Sequence, residues 1–339
     1  MKNIKHFLTI KDLTPQELFF LVEKSDKLQQ KTKKNKDISN SYTSGKKAVS
    51  FFSKSSSRTK SAWEVGCSCL GMMSSFNDTA SSQLGKKESI IDSANVFSQF
   101  YDIMGWRCMK YEDIAEFAKY SSIPCINLLC DKNHPTQAIA DLLTIYNVFK
   151  TIKGLKVVFV GACNNNVARS LIEGLAMYGA HYVGIGPTLA HPSSEELAFY
   201  QKLAQENGGS VEFTTDINAV KDADVIYQDV FLDLGESMDL WPERLTEYTG
   251  YQVNAEIAKL AKENYIYMHC LPAINGTSSE YTKYISDNFG KQFSWVANGE
   301  VEVTKEVFQS KNSVVFQQAH NRLFAMEAII KWLLTVNAK

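Results

Sequence analysis

The sequence has no surplus of either charge. Lys and Arg number 36, Asp and Glu 37, and the net charge is −1 over 339 residues. A nucleic-acid partner needs a basic stripe or face, so none is expected. Long apolar runs are also missing: nothing approaches the ~20 residues of a membrane helix. The opening MKNIKHFLTIKDL has neither a signal-type apolar core nor an Arg/Ser-rich leader. There are seven cysteines, an odd number at irregular spacing, which argues against a disulfide framework and for a reducing cytoplasm. Cys67-x-Cys69 has no second Cys or His pair nearby, so no metal is expected. The turn at 161–166, GACNNN, lacks the G-x-G-x-x-G spacing of a dinucleotide site. No solenoid period appears, and no cofactor is expected.

What is present is an ordinary globular composition, 45% hydrophobic and 22% charged, in a chain long enough for two cores. Residues 13–28 read as an amphipathic helix, with Thr14, Pro15 and Glu17 forming a start signal. A regular alternation follows. Strands are predicted at 48–52, 72–76, 103–106 and 123–128, with helices at 57–70, 89–100 and 114–121 and a longer one at 136–149. After a hinge at 151–154 the pattern restarts. Strands are expected at 156–160, 182–185, 211–214, 225–227 and 265–269, helices at 165–178 and 193–207, and a closing apolar helix at 315–334 that packs back on the first half. Alternation of this kind predicts two doubly wound α/β domains with parallel sheets, 1–150 and 151–314.

In open α/β sheets, ligands sit beyond the carboxyl ends of strands. The polar residues where apolar runs stop are Ser56–Thr59, Arg107, His134 with Gln137, Asn164–Asn166, Asp229, and His269 with Cys270. VSFFSKSSSRTK reads as strand, loop and helix start. Ser56, Ser57 and Thr59 offer hydroxyls, and Arg58 a planar cation suited to phosphate. Capping of the helix by the same serines is the competing reading. Similar alternatives stand elsewhere: Arg107 as a solvated rim, His134-Pro135 as a plain helix start, Asp229 as an N-cap, Cys270 as packing, and Arg322 as a solvated helix residue. A cleft between the halves would offer an anion site on one wall and an amine site on the other.

Taken in order, SSSRT, HPTQAIADLLTI, YQDVFLDLGE, YQVNAEI, MHCLPA and QQAHNR resemble the aspartate/ornithine carbamoyltransferase family, most closely its ornithine branch, along essentially the whole chain. The interval holding EVTKEVF looks like the bacterial long form. The resemblance implies transfer of a carbamoyl group from carbamoyl phosphate to the side-chain amine of L-ornithine, giving citrulline and phosphate, or the reverse in arginine degradation. It implies phosphate contacts from Ser56, Ser57, Arg58, Thr59 and Arg107, and carbamoyl contacts from His134, Gln137, Leu271 and Arg322. Asn166, Asp229, Asp233 and Leu234 would face ornithine, with Cys270 near the reacting amine. Arg58, Arg107, His134 and Cys270 would be the catalytic set. The family also implies a homotrimer, or an assembly of trimers, in which Gln83 matches a loop entering a neighbour's site.

The chain departs from the pattern chiefly on the amine side. Where the ornithine enzymes read D-x-x-x-S-M-G, it has Asp229 followed by Asp233, Leu234 and Gly235. A second carboxylate there would favour a more cationic acceptor, so putrescine or another diamine is the alternative substrate. Ala162 replaces a usual aspartate, and His320 the usual glutamate before Asn321-Arg322.

Overall fold

Thr14 starts the first helix, α1 (Pro15–Lys33), as the sequence signal predicts. Its hydroxyl accepts from the Glu17 N–H at 3.2 Å, and the Glu17 carboxylate accepts from the Thr14 N–H at 2.8 Å. The computed structural model describes residues 4–34, 36–232 and 236–338. The chain forms two units. The first holds Met1–Val148, Arg169–Gly174 and Ala319–Lys339; the second holds Phe149–Ala168 and Leu175–Gln318.

After α1 come β1 (Lys47–Phe52), α2 (Arg58–Cys69), β2 (Met73–Asp78), α3 (Ile90–Phe100), β3 (Ile103–Arg107), α4 (Tyr111–Tyr120), β4 (Cys125–Leu129) and α5 (Pro135–Phe149). The four strands form a sheet in the order β2-β1-β3-β4, and every pairing is parallel. Its core gathers Val49, Phe51, Met104, Trp106 and Phe117, all buried. Gly105 in β3 is a packing requirement: a Cβ there would come within 2.7 Å of the Trp63 ring of α2.

The second series is β5 (Lys156–Val160), α6 (Asn166–Tyr178), β6 (His181–Ile185), α7 (Ser194–Glu206), β7 (Ser210–Thr214), β8 (Val225–Gln228), α8 (Trp241–Glu247), α9 (Ala255–Ala258), β9 (Ile266–His269), α10 (Glu280–Phe289) and α11 (Lys305–Phe308). The sheet order is β7-β6-β5-β8-β9, again wholly parallel. The final helix, α12 (Val315–Asn337), is longer than the predicted 315–334. Its residues from Ala319 onward group with unit 1. The parallel α/β class expected from the alternation is the one observed.

Both sheets have a strand pair at which the winding reverses, and ligands in such folds bind at that point. In unit 1 it lies between β1 and β3, whose carboxyl ends lead to Arg58 and Arg107. In unit 2 it lies between β5 and β8, whose ends lead to Asn165 and Asp229.

Candidate active site

In unit 1 the polar residues converge on His134, which is buried at the start of α5. Its N–H donates to the Ser170 hydroxyl at 2.8 Å. One ring nitrogen, Nε2, lies 3.2 Å from Arg322 Nη2, and the other, Nδ1, lies 3.4 Å from Thr136 Oγ1. Because a guanidinium can only donate, Nε2 carries the lone pair. Nδ1 then carries the proton and donates to Thr136, whose hydroxyl donates to the Leu128 carbonyl at 3.4 Å. Burial holds the imidazole well below its usual pKa, and the charges of Arg322, Arg107 and Arg58 push it the same way. The ring is neutral at physiological pH, and three guanidinium groups share its surroundings.

Arg322 is itself buried and donates to Thr59 Oγ1 at 2.5 Å. Thr59 lies in the first turn of α2, so one contact joins the closing helix to the predicted phosphate turn. Ser57 is at the N-cap of α2, and its side chain makes no capping hydrogen bond. The start of α2 borders a cavity of about 300 Å³ lined by Ser57, Arg58, Ser61, His320 and Leu323, among others. The helix dipole and the unpaired first N–H groups favour an anion there.

Gln137 donates from Nε2 to Asp141 Oδ1 at 2.7 Å, one helical turn on. This uses one of the two N–H donors of the amide and fixes its orientation, leaving the other N–H and the oxygen for a ligand. Arg107 is nearly buried at the end of β3. Ser56 is partly exposed in the loop before α2. Gln83 is exposed in the turn after β2, and its carbonyl accepts from the Lys86 and Glu88 N–H groups.

In unit 2, Asp229 is buried at the end of β8. Oδ2 accepts from Asn165 Nδ2 at 2.8 Å, and Oδ1 from the Val230 N–H at 2.9 Å. Asn165 has two tasks, since its Oδ1 also accepts from the Val167 and Ala168 N–H groups and so caps α6. Asn166 is the first residue of α6. Gly161 makes room at the end of β5: its φ is +111°, and a Cβ would meet the Phe231 ring at 2.5 Å. Phe231 also stacks on Tyr248, with ring centroids 4.5 Å apart.

Cys270 is half-buried just past β9, and its N–H donates to the Gln228 carbonyl at 3.2 Å. Tyr267, in β9, donates from its hydroxyl to Gln228 Oε1 at 3.0 Å. Gln318 braces the same strands, accepting from the His269 N–H at 2.9 Å and donating to the Tyr227 hydroxyl at 3.0 Å. Leu271 is partly buried and precedes a cis Pro272. Asp233 and Leu234 lie outside the described residues. Among the described residues, no group of three or more His, Cys, Asp or Glu side chains could hold a metal.

The structure thus brings Arg58, Thr59, Arg107, His134 and Arg322 together in unit 1, and aligns Asp229 with Asn165 in unit 2. Sequence reasoning passed over Thr136, Asp141, Ser170 and the double role of Asn165. The i, i+4 spacing of Gln137 and Asp141 on a helix, and an Asn directly before a helix start, were the available signals.

Two parallel α/β units with polar clusters at their switch points, one of them anion-seeking, describe a protein that binds small charged ligands. Residues 5–147 match the carbamoyl-P binding domain, and residues 153–333 the Asp/Orn binding domain, of the aspartate/ornithine carbamoyltransferases, and the chain belongs to that family. It is 42% identical over 301 residues to a catabolic ornithine carbamoyltransferase of Mycoplasma pneumoniae, covering 86% of this chain and 87% of the relative. A catabolic ornithine carbamoyltransferase of Clostridium perfringens is 39% identical over 329 residues, 96% of each chain. The solved ornithine carbamoyltransferase of Pyrococcus furiosus superposes with a TM-score of 0.85 at 35% identity, covering 96% of each chain.

Proposed function

We infer that this chain transfers the carbamoyl group of carbamoyl phosphate to the side-chain amine of L-ornithine, giving citrulline and phosphate. The observation that carries the reading is the set of three guanidinium groups around a buried, neutral His134. In this reading unit 1 binds carbamoyl phosphate. Arg58, Arg107, Ser56, Ser57 and Thr59 take the phosphate, while His134, Gln137 and Arg322 take the carbamoyl end; the resemblance adds Leu271, a residue of unit 2. Gln137, oriented by its bond to Asp141, has one N–H and its oxygen left to meet the carbamoyl group. Cations arranged before the reaction stabilise charge as it grows on the carbonyl oxygen and the departing phosphate, and such preorganisation is the largest contribution in sites of this kind.

Unit 2 binds ornithine. Asp229, oriented by Asn165, receives an ammonium group, with Asn166 and Cys270 serving the same substrate; Asp233 and Leu234 are assigned to it by the resemblance alone. An alkyl ammonium of pKa ~10.4 is about one part in a thousand neutral at pH 7, so the site must help it shed a proton before attack. The names of the relatives support ornithine as the acceptor and give no support to the putrescine alternative. The word catabolic in those names supports a working direction from citrulline. A homotrimer in which Gln83 serves a neighbour's site belongs to the same reading. Cytoplasmic location is part of it too, in keeping with seven free cysteines. No described helix is long and apolar enough to cross a membrane.

The test is product formation by the pure protein with carbamoyl phosphate and a panel of amines, including ornithine and putrescine. Citrulline formation that depends on carbamoyl phosphate, with kcat/KM highest for ornithine, is the expected result. A higher value for a diamine would overturn the assignment of the acceptor.

A further inference from the structure

Glu302 is fully buried in unit 2, yet it belongs to none of the groups described so far. Its backbone is held by its neighbours. The Val253 N–H donates to the Glu302 carbonyl and the Val301 N–H to the Ile274 carbonyl, both at 2.8 Å. Asn275 and Glu300 form an antiparallel contact, so residues 299–302 run beside 274–276. From this frame the carboxyl reaches two separate segments. Oε2 accepts from the Ile274 N–H at 2.8 Å; Oε1 is buried without a hydrogen-bond partner among the described residues, and the Phe231 main chain lies close enough to act on the carboxyl.

The surroundings are apolar: Phe231, Ile274 and Val301 pack in one cluster with Trp241 and Tyr248. The ionisable groups that sense the carboxyl are Tyr267 and Tyr281, both neutral phenols. Burial pushes the carboxyl up to about 8, so it is a neutral acid at pH 7. A buried polar group without a cation is costly, and an apolar residue of equal size would usually stabilise the fold as well or better. Stability alone therefore gives no reason for a carboxyl here. Position does: Phe231 lies two residues beyond Asp229, and Ile274 four beyond Cys270.

We propose that Glu302 is a positioning residue for the amine side of the reaction, its carboxyl joining the segment that carries Asp229 to the segment that carries Cys270 and so fixing their spacing. It touches no substrate. Its influence falls first on ornithine; carbamoyl phosphate, held chiefly by the cations of unit 1 and touching this segment only through Leu271, is affected far less. This inference rests on the proposed reaction.

The experiment is steady-state kinetics of Glu302→Gln and Glu302→Met, two replacements that keep the volume and hence the fold. Gln retains an acceptor for the Ile274 N–H; Met does not. The expected result is that Met raises KM for ornithine at least ~10-fold, because small displacements of positioning groups are costly. KM for carbamoyl phosphate should stay within about twofold, and Gln should restore ornithine KM to within about threefold of the native enzyme. Native KM values in both variants would make Glu302 a packing residue and overturn the proposal. So would a Gln variant as impaired as Met, or a rise in both KM values together. Absence of carbamoyl transfer to ornithine by the native enzyme is a different failure, because it removes the reaction itself.

Discussion

Two buried ionisable side chains, His134 in unit 1 and Glu302 in unit 2, are kept neutral by opposite means. In unit 1, His134 is surrounded by cations, and burial and charge act together to strip its proton. In unit 2, Glu302 is surrounded by apolar groups and phenols, and burial alone retains its proton. The first arrangement leaves a strong positive field that only an anionic ligand can balance. The second leaves no field and acts through hydrogen-bond geometry. In the proposed reaction, then, unit 1 contributes a field of several cations, and unit 2 a single carboxylate, Asp229, whose placement is what Glu302 serves. Perturbing charge in one and geometry in the other should give separable phenotypes.

The largest effect is expected on stability. Glu302 has a folded pKa of about 8 against a reference of 4.5. The native state thus holds this proton more tightly than the unfolded chain does, and stability is lost as pH rises through that window. Glu302→Gln removes the titration. It should stabilise the protein by on the order of 3 kcal/mol at pH 8 and change little at pH 5. Denaturant unfolding at the two pH values measures this. Glu173, at about 7, and Glu327, at about 8, titrate in the same direction in unit 1 and will remain in the variant as a background slope. Equal gains at both pH values would show that Glu302 is not neutral in the native state.

Next in size is Arg58→Ala, which removes a cation from the phosphate turn. A loss in kcat/KM of at least ~10²-fold is expected, or about 2.7 kcal/mol of transition-state stabilisation. The loss should be accompanied by weaker inhibition by inorganic phosphate. Activity near the native level would contradict the assignment of the anion site. Asp229→Asn tests the other wall. It keeps the shape and lowers the charge offered to an ammonium, and its single oxygen can serve Asn165 or the Val230 N–H but not both. Ornithine KM should rise ~10-fold with carbamoyl phosphate KM unchanged. If instead both constants moved together in either variant, the division of labour between the units would be wrong.

The sequence shows the repeated strand–helix units well, because buried parallel strands are short β-branched runs and their helices carry an apolar stripe. β5 and β3 begin where expected, at Lys156 and Ile103. Ends that carry no apolar mark were missed. α1 continues five residues past 28 through the polar KTK, and α4 starts at Tyr111, three residues before 114, on an acidic turn. β4 runs Cys125–Leu129 where 123–128 was expected, since Ile123 and Pro124 precede the ladder. α8, α9, α10 and α11 were not read at all. Three of them have seven residues or fewer, too few to show a period, and α10 buries only Thr282 and Ile285. Site residues at strand ends were legible for the same reason as the strands. Glu302 was not, because the segments that it joins, at Phe231 and Ile274, are brought together only by tertiary folding.

The smallest effect expected is at Thr136, and it probes how the charge-built site sets its histidine. Arg322 donates to Nε2, so the proton on Nδ1 needs an acceptor, and the Thr136 hydroxyl is the one at hand. Thr136→Val keeps the shape of the side chain and removes that oxygen. The imidazole then loses the partner that fixes its tautomer, while Arg58, Arg107 and Arg322 remain in place. Substrate binding through the cations should persist, with both KM values within about twofold. The chemical step should slow ~3-fold, roughly 0.7 kcal/mol, the size of one neutral hydrogen bond. Because burial and three cations keep His134 neutral in either protein, the pH profile should keep its shape, and only its height should fall. A new acid limb near pH 6 in the variant would mean that Thr136, rather than burial and the arginines, had been holding the ring unprotonated.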